Sequence, residues 1–315
     1  MIATVTLNPT LDVILEVNGL KLNHYNKVYN TQTTAGGKGI NVSKAVRACG
    51  RETIALGFVG GNRGITVEEE LRRLGITTNF WHIGENTRSN IIIRDTKSGE
   101  HTLLSEPGPR VTEYDLKMFH SAFYRVISQS CLVILSGSLP LGVPEEIYAY
   151  LIATAQEGGV KTILNTSGVQ FSKGLERKPF LASPDIRETN QFGGILIDRE
   201  KNAIKAAEKI VQKGAEIAVV SLEEQKDIIA TRDELWFAET TYPKIVNLIG
   251  AGDALIAGFA IALTEGKNLK ETIEFAMACA LASALREEEE FSSREEVEKC
   301  RRWVKVKKYE NRMER

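Results

Sequence analysis

The sequence predicts an α/β protein in three layers, with a mainly parallel central sheet between helices. Three observations carry that prediction. Short β-branched runs alternate with helical patterns, those runs are apolar along nearly their whole length, and 315 residues suffice for one large domain. Residues 2–7 read as the first strand, and a glycine-rich turn leads to a helical pattern over 39–49. A second strand over 53–59 precedes a helix over 65–74. Strands over 132–136, 161–165 and 217–221 follow, with helices over 145–157 and 202–213 between them. An apolar helix over 254–263 comes after the last of these strands. Residues 12–34 and 85–104 break the rhythm: they are strand-like, more polar and without intervening helices, as expected of a small sheet projecting from the main body. The charged stretches 287–290 and 301–315 read as solvated helix faces.

Composition narrows the function. A net charge of −1 with 26% charged residues gives no broad basic surface for nucleic acid. Cys49, Cys131, Cys279 and Cys300 are scattered without a Cys-x-x-Cys pair, as expected of reduced thiols. His24, His82, His101 and His120 lack ligand spacing and read as surface or packing residues. The first residues carry no basic region and no long apolar run, and no stretch approaches a membrane span. The expectation is a soluble, cytoplasmic protein that engages neither membrane nor nucleic acid.

The most informative stretch is 247–259, Asn-Leu-Ile-Gly-Ala-Gly-Asp-Ala-Leu-Ile-Ala-Gly-Phe. Gly250, Ala251 and Gly252 permit a tight turn close to a ligand, and Asp253 opens an apolar helix. A helix N-terminus presents unpaired N–H groups and a positive dipole end to an anion such as phosphate. A carboxylate on the same turn can take a proton from a neighbouring hydroxyl. Together these suit phosphoryl transfer to an alcohol. The same residues also suit a plain strand-to-helix turn with Asp253 as its N-cap.

A second glycine-rich element, Ala35-Gly-Gly-Lys-Gly-Ile-Asn41, is neither a P-loop nor a dinucleotide fingerprint, because Lys38 lacks a following Ser or Thr and the third glycine is missing. It suits backbone passing close to a polar ligand, with Asn41 offering a donor and an acceptor; a hinge into the next helix is the alternative. Four polar clusters lie at strand ends or in the irregular stretches. Asp12 follows the first strand, Thr87-Arg88-Ser89-Asn90 can grip an anion, and Ser136-Gly-Ser138 ends another strand. Asp185 and Glu188 are three residues apart, so they could share a helical face and hold hydrated Mg²⁺. Singly, each also reads as a turn, cap or surface pair.

The ordered set 6–12 (Thr-Leu-Asn-Pro-Thr-Leu-Asp), 36–41 (Gly-Gly-Lys-Gly-Ile-Asn), 136–140 (Ser-Gly-Ser-Leu-Pro) and 250–253 (Gly-Ala-Gly-Asp) resembles the ribokinase-like, PfkB-type carbohydrate kinases along almost the whole chain. The Gly-Gly-Lys-Gly-Ile-Asn form and 106–109 (Glu-Pro-Gly-Pro) look most like the 1-phosphofructokinase and tagatose-6-phosphate kinase branch. The resemblance implies a ribokinase-like αβα sandwich with a core of residues 1–11, 35–84 and 105–315. It also implies a β-sheet lid of residues 12–34 and 85–104, through which a homodimer forms. It implies ATP as donor, Mg²⁺, and a ketohexose phosphate as acceptor: fructose 1-phosphate, tagatose 6-phosphate or fructose 6-phosphate.

Carried over by position, Asp253 is the base and Gly250, Ala251 and Gly252 form the anion hole. Asp12, Gly37, Lys38 and Asn41 fall on the sugar side, and Lys27, Arg88, Asn90 and Ser138 on the acceptor's own phosphate and neighbouring oxygens. The nucleotide falls on Asp185, Ser221, Glu223 and Gly252, and the metal on Glu188 with Asp185. The donor side departs from the family pattern. Ser183-Pro-Asp185 stands for Lys-Pro-Asn, Ser221-Leu-Glu223 lacks the glycine of Ser-Leu-Gly, and Asn247 replaces an acidic residue associated with a monovalent-cation site, which leaves K⁺ open. A catalytically weak sugar-phosphate-binding protein with a kinase fold is therefore the second reading.

Overall fold

A computed structural model describes residues 1–186, 190–223, 225–242, 244–286 and 291–309, with Glu223 described by its backbone alone. Strand β1 (Ile2–Thr6) leads directly into β2 (Thr10–Val17) and β3 (Val28–Gly36), after which come α1 (Lys38–Ala48), β4 (Thr53–Gly60), α2 (Gly61–Arg73) and β5 (Thr77–Ile83). A second excursion supplies β6 (Arg88–Asp95) and β7 (His101–Ser105). The chain then alternates through α3 (Glu113–Ile127), β8 (Leu132–Ser136), α4 (Ile147–Glu157), β9 (Lys161–Thr166), α5 (Gly168–Leu175) and β10 (Leu181–Pro184). A short ribbon of β11 (Gln191–Phe192) and β12 (Ile195–Leu196) precedes α6 (Glu200–Gln212). The meander β13 (Ile217–Glu223), β14 (Lys226–Ala230) and β15 (Leu235–Thr240) is followed by α7 (Ala251–Thr264), α8 (Leu269–Ala284), α9 (Arg294–Cys300) and β16 (Val304–Lys308).

The large sheet has ten strands in the order β16-β15-β14-β13-β10-β9-β8-β1-β4-β5. From β13 to β5 the neighbours are parallel, whereas β13 to β16 pair antiparallel. The parallel strands are buried on both faces, and their period of two divides the core. Val133 and Leu135 join Phe119, Tyr148 and Phe171 on one side, while Leu132 and Ile134 join Val42, Phe259 and Phe275 on the other. Helix α7 is apolar all round because α1, α8 and the sheet enclose it. At Gly258 a Cβ would lie 2.5 Å from the Ala276 Cα, so only glycine lets α7 and α8 approach this closely.

The two irregular stretches do meet. β2 pairs with β6 in parallel, and β3 and β7 flank them antiparallel, giving a separate four-stranded sheet. The expectation for the tail is corrected: Arg301–Trp303 is a 3₁₀ turn and Val304–Lys308 is an edge strand on β15, not a helix. Its alternating Val304 and Val306 pack on the core beneath α8, a period of two that charge content hides. The stretches 287–290 and 310–315 lie outside the described residues.

Candidate active site

The site gathers at the carboxyl ends of the parallel strands, where β1 leads to β4 on one side and β8 to β9 on the other. Open α/β sheets bind ligands at such a reversal. There Asn8, just past β1, donates from Nδ2 to Ser138 Oγ at 3.2 Å, just past β8.

Gly250 takes φ 80°, ψ −9° and caps α7, a left-handed conformation that favours glycine. The helix therefore begins at Ala251, and Asp253 lies inside its first turn; the expectation that Asp253 opens the helix, or caps it, is corrected. The Ala251 N–H reaches Leu248 O at 3.2 Å and the Ala254 N–H reaches Gly250 O at 2.9 Å. The N–H groups of Gly252 and Asp253 have no protein acceptor among the described residues. Two donors and the positive end of a 14-residue helix thus face an open turn.

The Asp253 carboxylate is held from the start of α1. Asn41 Nδ2 donates to one oxygen at 2.8 Å, and Lys38 Nζ lies 3.3 Å from the other. Lys38 Nζ is also 3.3 Å from Asp185 Oδ2, so one ammonium bridges the base candidate and the donor side. Lys38 and Asn41, three apart on one helix, share a face. Asn41, read from the sequence as a contact to sugar hydroxyls, donates one amide N–H to Asp253 in the structure.

The second group is anchored on the small sheet. Asp12 and Asn90 sit opposite each other on β2 and β6, with Asn90 Nδ2 donating to Asp12 Oδ1 at 2.9 Å. A Cβ at Gly36 would lie 2.0 Å from Asp12 Oδ2, so the glycine strip makes room for this carboxylate. Burial pushes the Asp12 carboxyl up, against hydrogen bonds from Thr10 and Asn90 and the charges of Arg88 and Lys44. Arg88 donates to Ser105 Oγ (2.9 Å), Glu106 O (3.0 Å) and Asn8 O (3.3 Å). Burial lowers its pKa while Asp12 and Glu106 oppose that shift. Gly37 is the N-cap of α1 at φ 109°, between the two groups.

The residues expected on the donor side meet at a cavity of about 300 Å³ lined by Lys38, Asn165, Ser183, Asp185, Ser221, Asp227 and the Gly250–Asp253 turn. Asp185 follows β10 directly and begins no helix, so the helical spacing expected for Asp185 and Glu188 is not formed at Asp185. Glu188 and the side chain of Glu223 lie outside the described residues. No three His, Cys, Asp or Glu residues gather at metal-holding spacing among the described residues. Asn247 is buried, with Oδ1 accepting the Ile249 N–H at 3.0 Å and Nδ2 unpartnered, so it offers no anionic ligand to a cation. The structure does not bring Lys27 to the site: it is exposed between β2 and β3, its Nζ 5.7 Å from the Tyr29 ring centre. A larger hollow of about 710 Å³ against α6, lined by Ile204, Val211, Leu235 and Tyr309, holds none of these groups.

Sequence reasoning missed Asp227 and gave no role to Asn8 and Glu106, which it held only as members of motifs. Glu106 receives the Ser89 N–H at 2.9 Å and Arg63 at 3.3 Å, and so fixes the loop that Arg88 also binds.

The pfkB family carbohydrate kinase model matches residues 6–295. The chain is 32% identical over 288 residues to a 1-phosphofructokinase of Bacillus subtilis (strain 168), covering 91% of this chain and 94% of that protein. It is 30% identical over 291 residues to a tagatose-6-phosphate kinase of Staphylococcus epidermidis (strain ATCC 35984), covering 91% and 93%. The crystal structure of a "possible 1-phosphofructokinase" from Thermotoga maritima superposes with a TM-score of 0.92 at 35% identity, covering 98% of this chain and all of that one (100%). With the Asp253 carboxylate held by Lys38 and Asn41 at the head of α7, this chain belongs to the pfkB family of carbohydrate kinases.

Proposed function

We propose that the protein transfers the γ-phosphoryl group of ATP to a hydroxyl of a ketohexose phosphate, giving a bisphosphate. Fructose 1-phosphate, tagatose 6-phosphate and fructose 6-phosphate are the candidate acceptors. The carrying observation is the Asp253 carboxylate, held by Lys38 and Asn41 beside the unpaired N–H groups at the head of α7.

In this reading the sugar lies between Asp12 with Asn90 and Asp253, its own phosphate on Arg88 and the Ser138 loop. The polyphosphate of ATP occupies the cavity beside Asp185, Ser221 and Gly252. The hydroxyl oxygen attacks the γ-phosphorus in line as the bond to the β-phosphate oxygen breaks, and its proton passes to Asp253 late, when the oxygen has become acidic. The Gly252 and Asp253 N–H groups stabilise charge on the transferring group, and Lys38 follows it between donor and acceptor. Mg²⁺ supplies charge neutralisation along the polyphosphate; Asp185, with Glu188, is the candidate to hold its waters. Asn247 brings a neutral amide, so K⁺ is expected to have little effect.

The small sheet serves as the lid, and we place a homodimer contact on it, with residues 12–34 and 85–104 as its boundaries. Leu22 (83% exposed), Tyr25 (94%) and Leu103 (59%) make it apolar where a monomer would face water. The free thiols of Cys49, Cys131, Cys279 and Cys300 fit a cytoplasmic setting. The test is ADP release on mixing ATP with each sugar phosphate: turnover supports a kinase, and binding without turnover supports the weak binder.

A further inference from the structure

Asp227 is a buried carboxylate that the chemistry above leaves unused. It stands at the start of β14, directly across the antiparallel pair from Ser221 of β13, and both side chains line the donor cavity. Asp227 is 7% exposed, whereas Ser221 is open to the cavity. Ser221 Oγ donates to Asp227 Oδ1 at 2.6 Å. No basic group pairs with Asp227 among the described residues. The charged groups sharing the cavity are Lys38 from α1, Asp185 after β10 and Asp253 from α7, and Lys38 is already bound to both acids. On the other sides β15 faces Asp227 with Ala238, and α8 contributes Ala280 to the cavity. Burial pushes the carboxyl up to about 6, against the lowering effect of the Ser221 bond.

A hydroxyl has one proton to give. While Asp227 is ionised that proton belongs to it, and Ser221 shows the cavity only lone pairs. Phosphate oxygens are acceptors as well, so an arriving polyphosphate meets a carboxylate and a hydroxyl that cannot donate. One proton from solvent reverses both. The neutral acid donates to Ser221 Oγ, and the Ser221 O–H turns to a phosphate oxygen.

We propose that binding of the phosphate-bearing donor is coupled to uptake of one solvent proton by Asp227, which converts Ser221 into a phosphate-binding donor. This deepens the proposed function and rests on its placing of the donor in this cavity. The donor-bound form then holds its proton more tightly than the free form. Affinity is full below about pH 6 and falls with rising pH, by up to about tenfold per unit, until the bound form also ionises.

The test is calorimetric titration of the full-length protein with Mg²⁺ and a non-hydrolysable ATP analogue at pH 7, in buffers of different ionisation heat. In Asp227→Asn the amide donates to Ser221 permanently and does not titrate. The wild type should take up about one proton more per donor than this variant, and at pH 8 the variant should bind at least about tenfold more tightly. Ser221→Ala should weaken binding at pH 6 and flatten its pH dependence, which keeps the question open to refutation if Asp227→Asn folds poorly. Equal proton uptake in wild type and Asp227→Asn, or parallel pH profiles, would overturn the coupling and leave the donor seat intact. Absence of nucleotide binding by the wild type would overturn the donor seat, and the coupling with it.

Discussion

Lys38 shows most clearly how single residues tie this site together, since its ammonium lies 3.3 Å from both Asp185 and Asp253. Removing the Asp253 carboxylate leaves Asn41 and Lys38 in place but takes away the proton acceptor. Asp253→Asn should therefore lower kcat about 10²–10⁴-fold with little change in acceptor KM; near-normal turnover would remove Asp253 from that role. Arg88→Ala should act the other way, raising acceptor KM about tenfold or more while kcat falls less, because it removes the guanidinium proposed to hold the acceptor's phosphate. Steady-state kinetics with varied sugar phosphate separates the two. Asp227 also carries a stability consequence. Its folded pKa is raised, so its neutral form is favoured and stability is lost as pH climbs from about 4 through 6. Asp227→Asn, which cannot ionise, should thus be more stable than wild type by about 2–3 kcal/mol at pH 8 and equal to it near pH 4, measured by urea unfolding. Asp253, Asp12 and Arg88 were legible because each sits in a short motif with a local chemical meaning. The Asn41–Asp253 bond joins residues 212 apart, and Asn8 meets Ser138 across 130, so only the folded chain reveals those partners.

Among the elements, α7 depends most on backbone geometry. Gly250→Ala places a Cβ at φ 80°, and 3.3 Å from the Phe291 ring, so the turn should shift, with a cost of about 1–2 kcal/mol and a fall in kcat larger than any rise in acceptor KM. Gly258→Ala sets a methyl 2.5 Å from the Ala276 backbone and should destabilise by about 1–3 kcal/mol without altering KM, read by denaturant midpoint and kinetics together. The parallel strands were legible because burial on both faces demands continuous apolar runs. Helices α3 and α8 were not singled out, although Thr112 with Asp115 and Asn268 with Glu271 are capping boxes visible in sequence. The edge strand β16 was read as a helix face because its lysines outweigh two half-buried valines. Asp185 was read onto a helical face, whereas it directly follows β10 and lies 3.3 Å from the Lys38 ammonium.

At the scale of the molecule, the candidate residues fall on two bodies: the α/β core holds Asp253 on α7, Asp185 after β10, Ser221 on β13 and Asp227 on β14, and the small sheet holds Asp12, Asn90 and Arg88. The small sheet's apolar exposure predicts self-association. Sedimentation of the wild type should report a dimer, and Leu22→Asp with Leu103→Asp should shift it toward monomer; a wild-type monomer at every concentration would contradict this. The layered fold could be read from sequence because alternation of strand and helix leaves few topologies. Pairing of β2 with β6 could not, since nothing local fixes which strand an isolated strand will join. The central claim is that the Asp253 carboxylate accepts the proton of a ketohexose-phosphate hydroxyl during phosphoryl transfer from ATP. Coupled ADP release over fructose 1-phosphate, fructose 6-phosphate and tagatose 6-phosphate, with Mg²⁺ and with or without K⁺, tests it most directly when run beside Asp253→Asn. The account predicts turnover on at least one of these sugars, little affected by K⁺ and nearly abolished in the variant; no turnover on any of them would contradict it.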